Sequence, residues 1–390
     1  MNFISLFCGC GGFDLGFAKA GFECKAAFDI DGMAIENYSN YFPHKATQYD
    51  LSQDIPLGEF RDIDVVLAGP PCQGFSTVGK RRYDDPRNHL LLRAAEIALA
   101  ISPKVFILEN VNGVVAGKHK DFWNKAQEML KHRYRIRELY IKTEELGIAQ
   151  TRQRRLLFAW KADKALNISL PKKKRSTLLQ AISGIGGALP NHKPRYFDKE
   201  SDLGLIAKKI RPGQKLSNVR GGNRAVHTWH IPKVYGRTTK EERQVLETIL
   251  KLRRRNRLRD YGDADPVADN AIVRELKKSV KDILISLINK NYVRKIHEKY
   301  DLTHAFNGKY KRLRWDGPAP TVDTRFGNPR YFLHPDENRG LTVREAARIQ
   351  GFPDNYVFVG NETIQYRLVG NAVPPPMAKM LGLLVRKIIA

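Results

Sequence analysis

The sequence predicts an α/β chain, a doubly wound and largely parallel sheet that carries a second, smaller and strongly basic domain. Three observations carry that expectation. Apolar runs at Phe3–Phe7, Cys24–Ile30, Val65–Ala68 and Val105–Leu108 alternate with stretches of helical spacing. Each run ends in glycine, proline or an acid, at the strand edge where open α/β sheets bind ligands. The charge is lopsided: 37 Lys and Arg against 16 Asp and Glu lie between Pro171 and Arg330, a balance of +21 that leaves +5 for the rest of a +26 chain. So concentrated an excess reads as the footprint of a polyanion, most simply DNA.

Composition excludes several classes. At 390 residues and 42% hydrophobic content the chain can bury one large core and one small one, and it contains no apolar run near the length of a membrane span. Met1-Asn2-Phe3-Ile4 enters a strand at once, leaving no room for a cleavable signal. Cys8, Cys10, Cys24 and Cys72 show no CxxC spacing, which fits a reducing cytoplasm and argues against a zinc cluster.

Taken in order, the strand Phe3–Phe7 runs into Cys8-Gly9-Cys10-Gly11-Gly12 and a helix from Phe13 to Ala20 closed by Gly21. Strand, glycine-rich turn and helix open a nucleotide-binding unit, since glycines let backbone approach a ligand and aim helix N-terminal amides at it. The next strand ends in Asp29-Ile30-Asp31, with an acid placed to grip a ribose diol and Ile30 to lie on an adenine face. Lys45 to Leu51 reads as a third strand, ending in Asp50-Leu51. Val65–Ala68 is then stopped by Gly69-Pro70-Pro71, because two prolines remove two backbone donors. That leaves Cys72 just past a strand edge, followed by Gln73-Gly74-Phe75-Ser76.

Beyond this loop, Asn88 to Ser102 carries Leu90, Leu91, Ala94, Ile97 and Ala98 on a helical stripe. Val105–Leu108 ends in Glu109-Asn110-Val111, a carboxylate at a strand terminus. Lys120 to Lys131 is helical, Tyr134 to Lys142 extended, and Gln150-Thr151-Arg152-Gln153-Arg154-Arg155 leads into the strand Leu156–Trp160. A domain boundary is expected near Pro171-Lys172-Lys173-Lys174-Arg175, where periodicity stops. Glycine, asparagine and histidine then give a loop-rich part, Gly221 to Arg237. Thr239 to Leu252 reads as a capped helix, and Lys251 to Arg259 holds six basic side chains in nine residues. Ile272 to Leu287 has helical spacing and turns through Lys290-Asn291-Tyr292-Val293-Arg294 toward a strand pair. That pattern fits a winged helix and a packed helical spacer equally well. Thr342 to Asp354 is a capped helix, and Gln365 to Pro374 leads into a last amphipathic helix.

Set end to end, these segments resemble the cytosine-5 DNA methyltransferase family over nearly the whole chain, excepting the middle of the basic region. Phe7-Cys8-Gly9-Cys10-Gly11-Gly12 is similar to its cofactor loop, Gly69-Pro70-Pro71-Cys72-Gln73 to its nucleophile motif and Glu109-Asn110-Val111 to its acid motif. Gln150-Thr151-Arg152-Gln153-Arg154 is similar to its arginine motif. Thr342–Asp354 and Gly370-Asn371-Ala372-Val373 resemble its last two. Ala149 stands where the family favours proline, and Ile30 where it often has an aromatic.

The resemblance implies a Rossmann-like S-adenosylmethionine-dependent catalytic domain at residues 1–170. A target-recognition domain at 171–330 and a segment at 331–390 that returns to complete the catalytic domain would follow. It implies S-adenosyl-L-methionine held by Phe7, Gly9, Gly11, Gly12, Asp29, Ile30, Asp50, Leu51, Pro70, Leu90, Asn371 and Val373. Cys72, Glu109, Arg152 and Arg154 become the catalytic set. Gln73, Ser76 and Arg152 would meet DNA at the pocket.

Carbon 5 of cytosine is a poor nucleophile, and addition of a thiolate at carbon 6 activates the ring. Glu109 would stabilise ring nitrogen 3, the arginines would hold the nucleotide, and the base must leave the stack. In the basic region, Lys172–Arg175 and Arg253–Arg259 are expected at phosphates. Arg224, His227, His230 and Arg237 are expected at base edges, with satisfaction of loop backbone the equal alternative for the two histidines. The implied partner of a cytoplasmic monomer is double-stranded DNA, with a separate cognate restriction endonuclease a further candidate. Two rivals are a tRNA-directed methyltransferase, disfavoured by the large basic region, and a non-catalytic scaffold, disfavoured by the intact catalytic set.

Overall fold

A sheet whose strand order doubles back at its middle organises the first 160 residues. The computed structural model describes residues 1–390 except 45, 56–59, 72–84, 162–167, 220, 256–257, 259–264, 305 and 390. In chain order the elements are β1 (Asn2–Leu6), α1 (Gly12–Ala18), β2 (Glu23–Asp29), α2 (Gly32–Tyr41), β3 (Thr47–Gln48), β4 (Val65–Ala68), α3 (Leu90–Ile101), β5 (Val105–Val111), α4 (Lys120–Leu130), β6 (Arg135–Lys142), β7 (Gln150–Thr151) and β8 (Gln153–Trp160). The seven-stranded sheet runs β3-β2-β1-β4-β5-β8-β6. It is parallel from β3 to β5, and β8 lies antiparallel between β5 and β6. The expected doubly wound sheet is present.

Side-chain alternation explains why the central strands read as unbroken apolar runs. Ile4, Leu6, Val66, Ala68, Phe106 and Leu108 face a core with Leu91, Ala94 and Ala98 of α3 and Trp123, Ala126 and Leu130 of α4. Phe3 and Ser5 point the other way, Phe3 onto Phe17 of α1 at 5.8 Å between ring centroids, Ser5 onto Asp14. On that face α1 packs against the final helix, Pro375–Ile389, with no space to spare: a Cβ on Gly16 would fall 2.3 Å from Ala378 Cβ, and one on Gly382 would fall 2.7 Å from Ala20 Cβ.

The described residues divide into two compact units, Met1–Lys193 with Trp315–Arg325 and Thr342–Ala390, and Pro194–Arg314 with Phe326–Leu341. The break expected at Pro171 therefore falls after Lys193. Backbone explains it: Leu178 N–H donates to Gly317 O, Leu179 N–H to Trp315 O, and Arg344 N–H to Asn191 O. The last two helices, Glu362–Asn371 and Pro375–Ile389, together have the length and hydropathy of a membrane span, in contrast to the expectation that no apolar stretch approaches that length. In the protein 72% of that apolar window is buried, as in a core helix.

Strands of the second unit are short. Lys215–Ser217, Ala225–Val226 and Asn307–Lys309 form a three-stranded sheet over a core of Ile206, Ala207, Ile210, Leu216 and Val226. Arg312, 4% exposed, braces this part by donating to the carbonyls of Ala207, Ile210, His334 and Glu337.

The remainder resolves the open reading of the helical segment. Thr239 caps the helix Lys240–Arg255 by a reciprocal pair with Glu242. The strand Val267–Ala268, the helices Asp269–Leu276 and Lys281–Asn289 and the hairpin Val293–Ile296/Lys299–Leu302 follow. The strand Lys299–Leu302 is central and antiparallel to both others. Val245, Ile249, Ile272, Leu284, Leu287, Val293 and Leu302 share one core. That order and pairing is a winged helix. The single periodic run read from Ile272 to Leu287 is two helices, because Lys277 adopts φ 54°.

Candidate active site

Strand order reverses between β1 and β4, so the crevice at their C-terminal ends is the place where a doubly wound sheet takes its ligand. Phe7, with φ 57°, and Gly9, with φ 56°, turn the chain there. Gly69 N–H donates to Leu6 O at 3.3 Å, pinning the end of β4 beside that turn. A Cβ on Gly9 would meet nothing within 4 Å, whereas one on Gly12 would strike Val373 O at 2.4 Å. Gly9 is thus open on the ligand side, and Gly12 is closed by the returning C-terminal chain.

Asp29 ends β2 and organises this turn. Its Oδ2 accepts from Gly9 N–H at 2.8 Å and its Oδ1 from Asp31 N–H at 2.9 Å. Burial raises its pKa above the usual carboxylate value, opposed by those bonds. A carboxylate has about four acceptor positions, so two remain for a diol. Ile30, 62% exposed, presents an apolar surface beside it. Asp50 is exposed and accepts from Ser52 N–H at 2.9 Å, a bond that lowers its pKa. The expected third strand is shorter than its sequence suggests, since only Thr47 and Gln48 pair with β2. Leu51 sits in the core, so the side chain expected at the cofactor serves packing. Phe7 and Leu90 are half-buried, Pro70 buried and Asn371 exposed. An open glycine turn, a ribose-height carboxylate and an exposed apolar side chain fit a nucleoside sulfonium. Sequence reasoning missed Asp31, which caps α2 through Met33 N–H and pairs with Arg367.

Across the switch point lies the acid. Glu109 leaves the end of β5, and its Oε1 is 2.6 Å from Arg154 Nε, both side chains 10% exposed. Antiparallel register sets Val111 opposite Arg154, which brings the guanidinium back along β5 to Glu109. Asn110 Nδ2 donates to Pro70 O at 3.4 Å, tying the acid strand to the proline turn. Cys72, Gln73 and Ser76 lie outside the described residues.

Arg152 is the chief correction. It was expected at the nucleotide, yet it is 1% exposed and its Nη1 donates to Val322 O at 2.9 Å and Gly370 O at 3.0 Å. Gln150 joins it: its Nε2 donates to Gln350 Oε1 at 2.5 Å, and Gln350 Nε2 donates to Val369 O at 2.6 Å. The arginine motif therefore fastens the turn Gly370–Val373, whose other side closes on Gly12. No local signal marks Gln350, because its partner lies 200 residues away.

In the second unit His227 is 6% exposed, stacks on Trp229 at 4.5 Å, and bonds Ser217 O through Nδ1 at 2.6 Å. His230 Nδ1 accepts His227 N–H at 3.2 Å. Both histidines hold loop backbone, so of the two readings expected for them the structure favours loop satisfaction over base edges, most clearly for the buried His227. Burial lowers its pKa to about 4. Arg253, expected at phosphate, is buried in an ion pair with Asp301 at 2.5 Å, and Arg255 pairs with Glu275. Arg224, Arg237 and Lys172–Arg175 are exposed.

A doubly wound sheet with this glycine turn, an acid at the end of β2 and a strand-end Glu–Arg pair fits an S-adenosylmethionine-dependent methyltransferase. The chain belongs to the C-5 cytosine-specific DNA methylase family, whose model matches residues 1–386. It is 28% identical over 416 residues to the type II methyltransferase M.DdeI of Desulfomicrobium norvegicum, covering 98% of this chain and 88% of that one. It is 30% identical over 396 residues to the type II methyltransferase M.XorII of Xanthomonas oryzae pv. oryzae, covering 97% and 83%. A solved DNA modification methyltransferase encoded within an E. coli prophage superposes with TM-score 0.62 at 24% identity, covering 100% and 99%, a likeness of fold.

Proposed function

We propose that this cytosine-5 DNA methyltransferase is the modification enzyme of a restriction–modification system, acting in the cytoplasm as a monomer on duplex DNA at one recognition sequence. A separately acting endonuclease would be its counterpart. The observation that carries the chemistry is the Glu109–Arg154 pair at the end of β5, tied through Asn110 to Pro70 at the base of the cysteine loop.

Cys72, as thiolate, adds to carbon 6 of a cytosine turned out of the duplex, and electron density moves toward ring nitrogen 3. Glu109 meets that nitrogen, held by Arg154 so that no rotamer search accompanies the step. S-adenosylmethionine, when bound, supplies an electrophilic methyl group for carbon 5. Asp29 and Asp50 would grip its nucleoside and Gly9 would allow its close approach, while Gly11 and Gly12 let the turn pack against Phe42 and Val373. Removal of the carbon 5 proton then lets the ring expel Cys72 as thiolate, restoring the aromatic base. Arg152 acts one step removed, by fixing the Gly370–Val373 turn. The second unit would position and read the duplex. Type II methyltransferase relatives along almost the whole chain support this reading.

Incubation with S-adenosylmethionine and duplexes containing 5-fluorocytosine tests it, since that base blocks the final elimination and traps the enzyme covalently. A denaturation-stable adduct on one duplex sequence is expected. Adduct on tRNA alone, or none with a protein that binds the cofactor, would overturn it. Bisulfite sequencing of DNA from cells expressing the protein then gives the recognition sequence.

A further inference from the structure

The winged helix at 239–302 carries a face that its own core does not use. On the helix Lys281–Asn289, Leu284 and Leu287 are buried at 2% and 0%, while Ile285 and Ile288 are 50% and 36% exposed. Lys281, Asp282 and Asn289 are exposed with them. At 100° per residue, positions 281, 282, 285, 288 and 289 fall on a single stripe of the helix. Exposed lysines flank it in the chain: Lys277 in the turn before the helix, Lys295 and Lys299 on the hairpin after it. Among the described residues none of Lys277, Lys281 and Lys299 is held in an ion pair, in contrast to Arg253 and Arg255 of the same subdomain.

We infer that this subdomain is a second duplex-DNA contact, distinct from the pocket that takes the flipped base, with the helix Lys281–Asn289 lying in a major groove. It rests on the proposed action on duplex DNA and extends it. In a helix-turn-helix the second helix enters the groove and its N-terminal residues meet base edges, while the first helix, here ending at the Lys277 turn, crosses the backbone. Lys277 and Lys281 stand at that turn and at the start of the second helix, where phosphates pass. Ile285 offers an apolar surface suited to a thymine methyl, and Asp282 an acceptor suited to a cytosine amino group. An acid so close to phosphate is repelled unless a base amino group donates to it, so Asp282 contributes discrimination at a cost in affinity. A protein partner would suit the isoleucines, but nothing in that reading calls for unpaired lysines in the turn and on the hairpin.

The test uses the full-length protein and equilibrium binding to a long duplex across a salt series. Lys277→Ala with Lys281→Ala should lower the slope of log affinity against log salt by about two units. Lys387→Ala, on the last helix of the first unit, should leave it unchanged. Asp282→Asn should tighten binding to non-target duplex and reduce discrimination about 10-fold or more, a pair of opposite changes that a purely structural role would not produce. Circular dichroism melting confirms that each variant is folded, and Lys281→Arg should restore the slope. An unchanged slope in the lysine pair, with 5-fluorocytosine trapping intact, overturns this inference alone. Absence of trapping by the unaltered protein overturns the methyltransferase action on duplex DNA instead.

Discussion

Both units bury arginines, and the two kinds of burial differ. In the first, Arg152 and Arg154 stand at the start of β8, on a sheet whose strands run to eight residues, and both reach groups at the ligand-binding edge. In the second, whose strands have two to four residues, Arg312 and Arg253 cross-brace loops by donating to four carbonyls and by pairing with Asp301. A long ladder satisfies its own backbone and frees its polar side chains for a site. A fold of short pieces leaves carbonyls over, and arginine, with five donors in a rigid fork, gathers them. Net charge in such a unit overstates what a polyanion can reach.

The sharpest way to test that contrast is to remove one arginine of each kind. Cys72→Ser should bring methyl transfer below detection with DNA binding kept, and substantial turnover would sink the nucleophile assignment. Arg154→Ala should lower kcat by roughly 10²–10³-fold, the scale for losing one group that stabilises the transition state, and this loss should exceed the effect of the fall in melting temperature that comes from leaving Glu109 buried and unpaired. Arg312→Met should do the reverse. It orphans buried carbonyls and should cost about 3–5 kcal/mol in chemical denaturation of the second unit, and a loss below about 1 kcal/mol would mean water replaces the brace.

Gly12→Ala should weaken S-adenosylmethionine binding and destabilise the first unit by about 1–3 kcal/mol, because the added methyl meets Val373 O. Calorimetry showing wild-type affinity would show instead that the turn yields.

One buried group in each unit should contribute to pH dependence with opposite sign. Burial raises Asp14 to about 6, with Ser5 and Tyr38 donating to it. Between about 4 and 6 the folded first unit holds a proton that the unfolded chain has lost, so this contribution is full at low pH and disappears as pH rises through 6. His227 is depressed to about 4. Between about 4 and 6.5 the folded second unit holds fewer protons than the unfolded chain, so its stability rises with pH over that window. Hydrogen exchange read separately in the two units should show both slopes, and Asp14→Asn and His227→Asn should each flatten one. The smallest effect is expected at Lys172→Ala, which should change stability by less than about 0.5 kcal/mol while lowering the salt slope of DNA binding by about one unit.

What the sequence disclosed follows from the range of the interactions involved. β1, β4 and β5 were readable because strands buried on both faces are apolar throughout and stop at glycine, proline or an acid. Asp29 and Glu109 were readable because a strand end is itself the signal. Arg152 was not, because its carbonyl partners lie 170 and 218 residues away and only the closed fold brings them in. For His227 the loop-backbone role was one of two readings the sequence offered, but its acceptor, Ser217 O, was not readable because it depends on a three-residue strand without periodicity. The winged helix was half readable: helical spacing and the turn at Asn291 were visible, the strand pairing order was not.

The first unit is assembled from three separated pieces of chain, and its last piece, Thr342–Ala390, supplies both the helix against α1 and the turn against Gly12. During synthesis β1 and α1 leave the ribosome first, yet the groups that close around them arrive after more than three hundred further residues. The intervening second unit can collapse on its own core while the first unit still waits. Activity therefore cannot begin on a nascent chain. A chain stopped after residue 341 would hold every residue of the basic second unit but lack the turn and helix that complete the first. Completion of the first unit is thus set by the order in which its pieces are made.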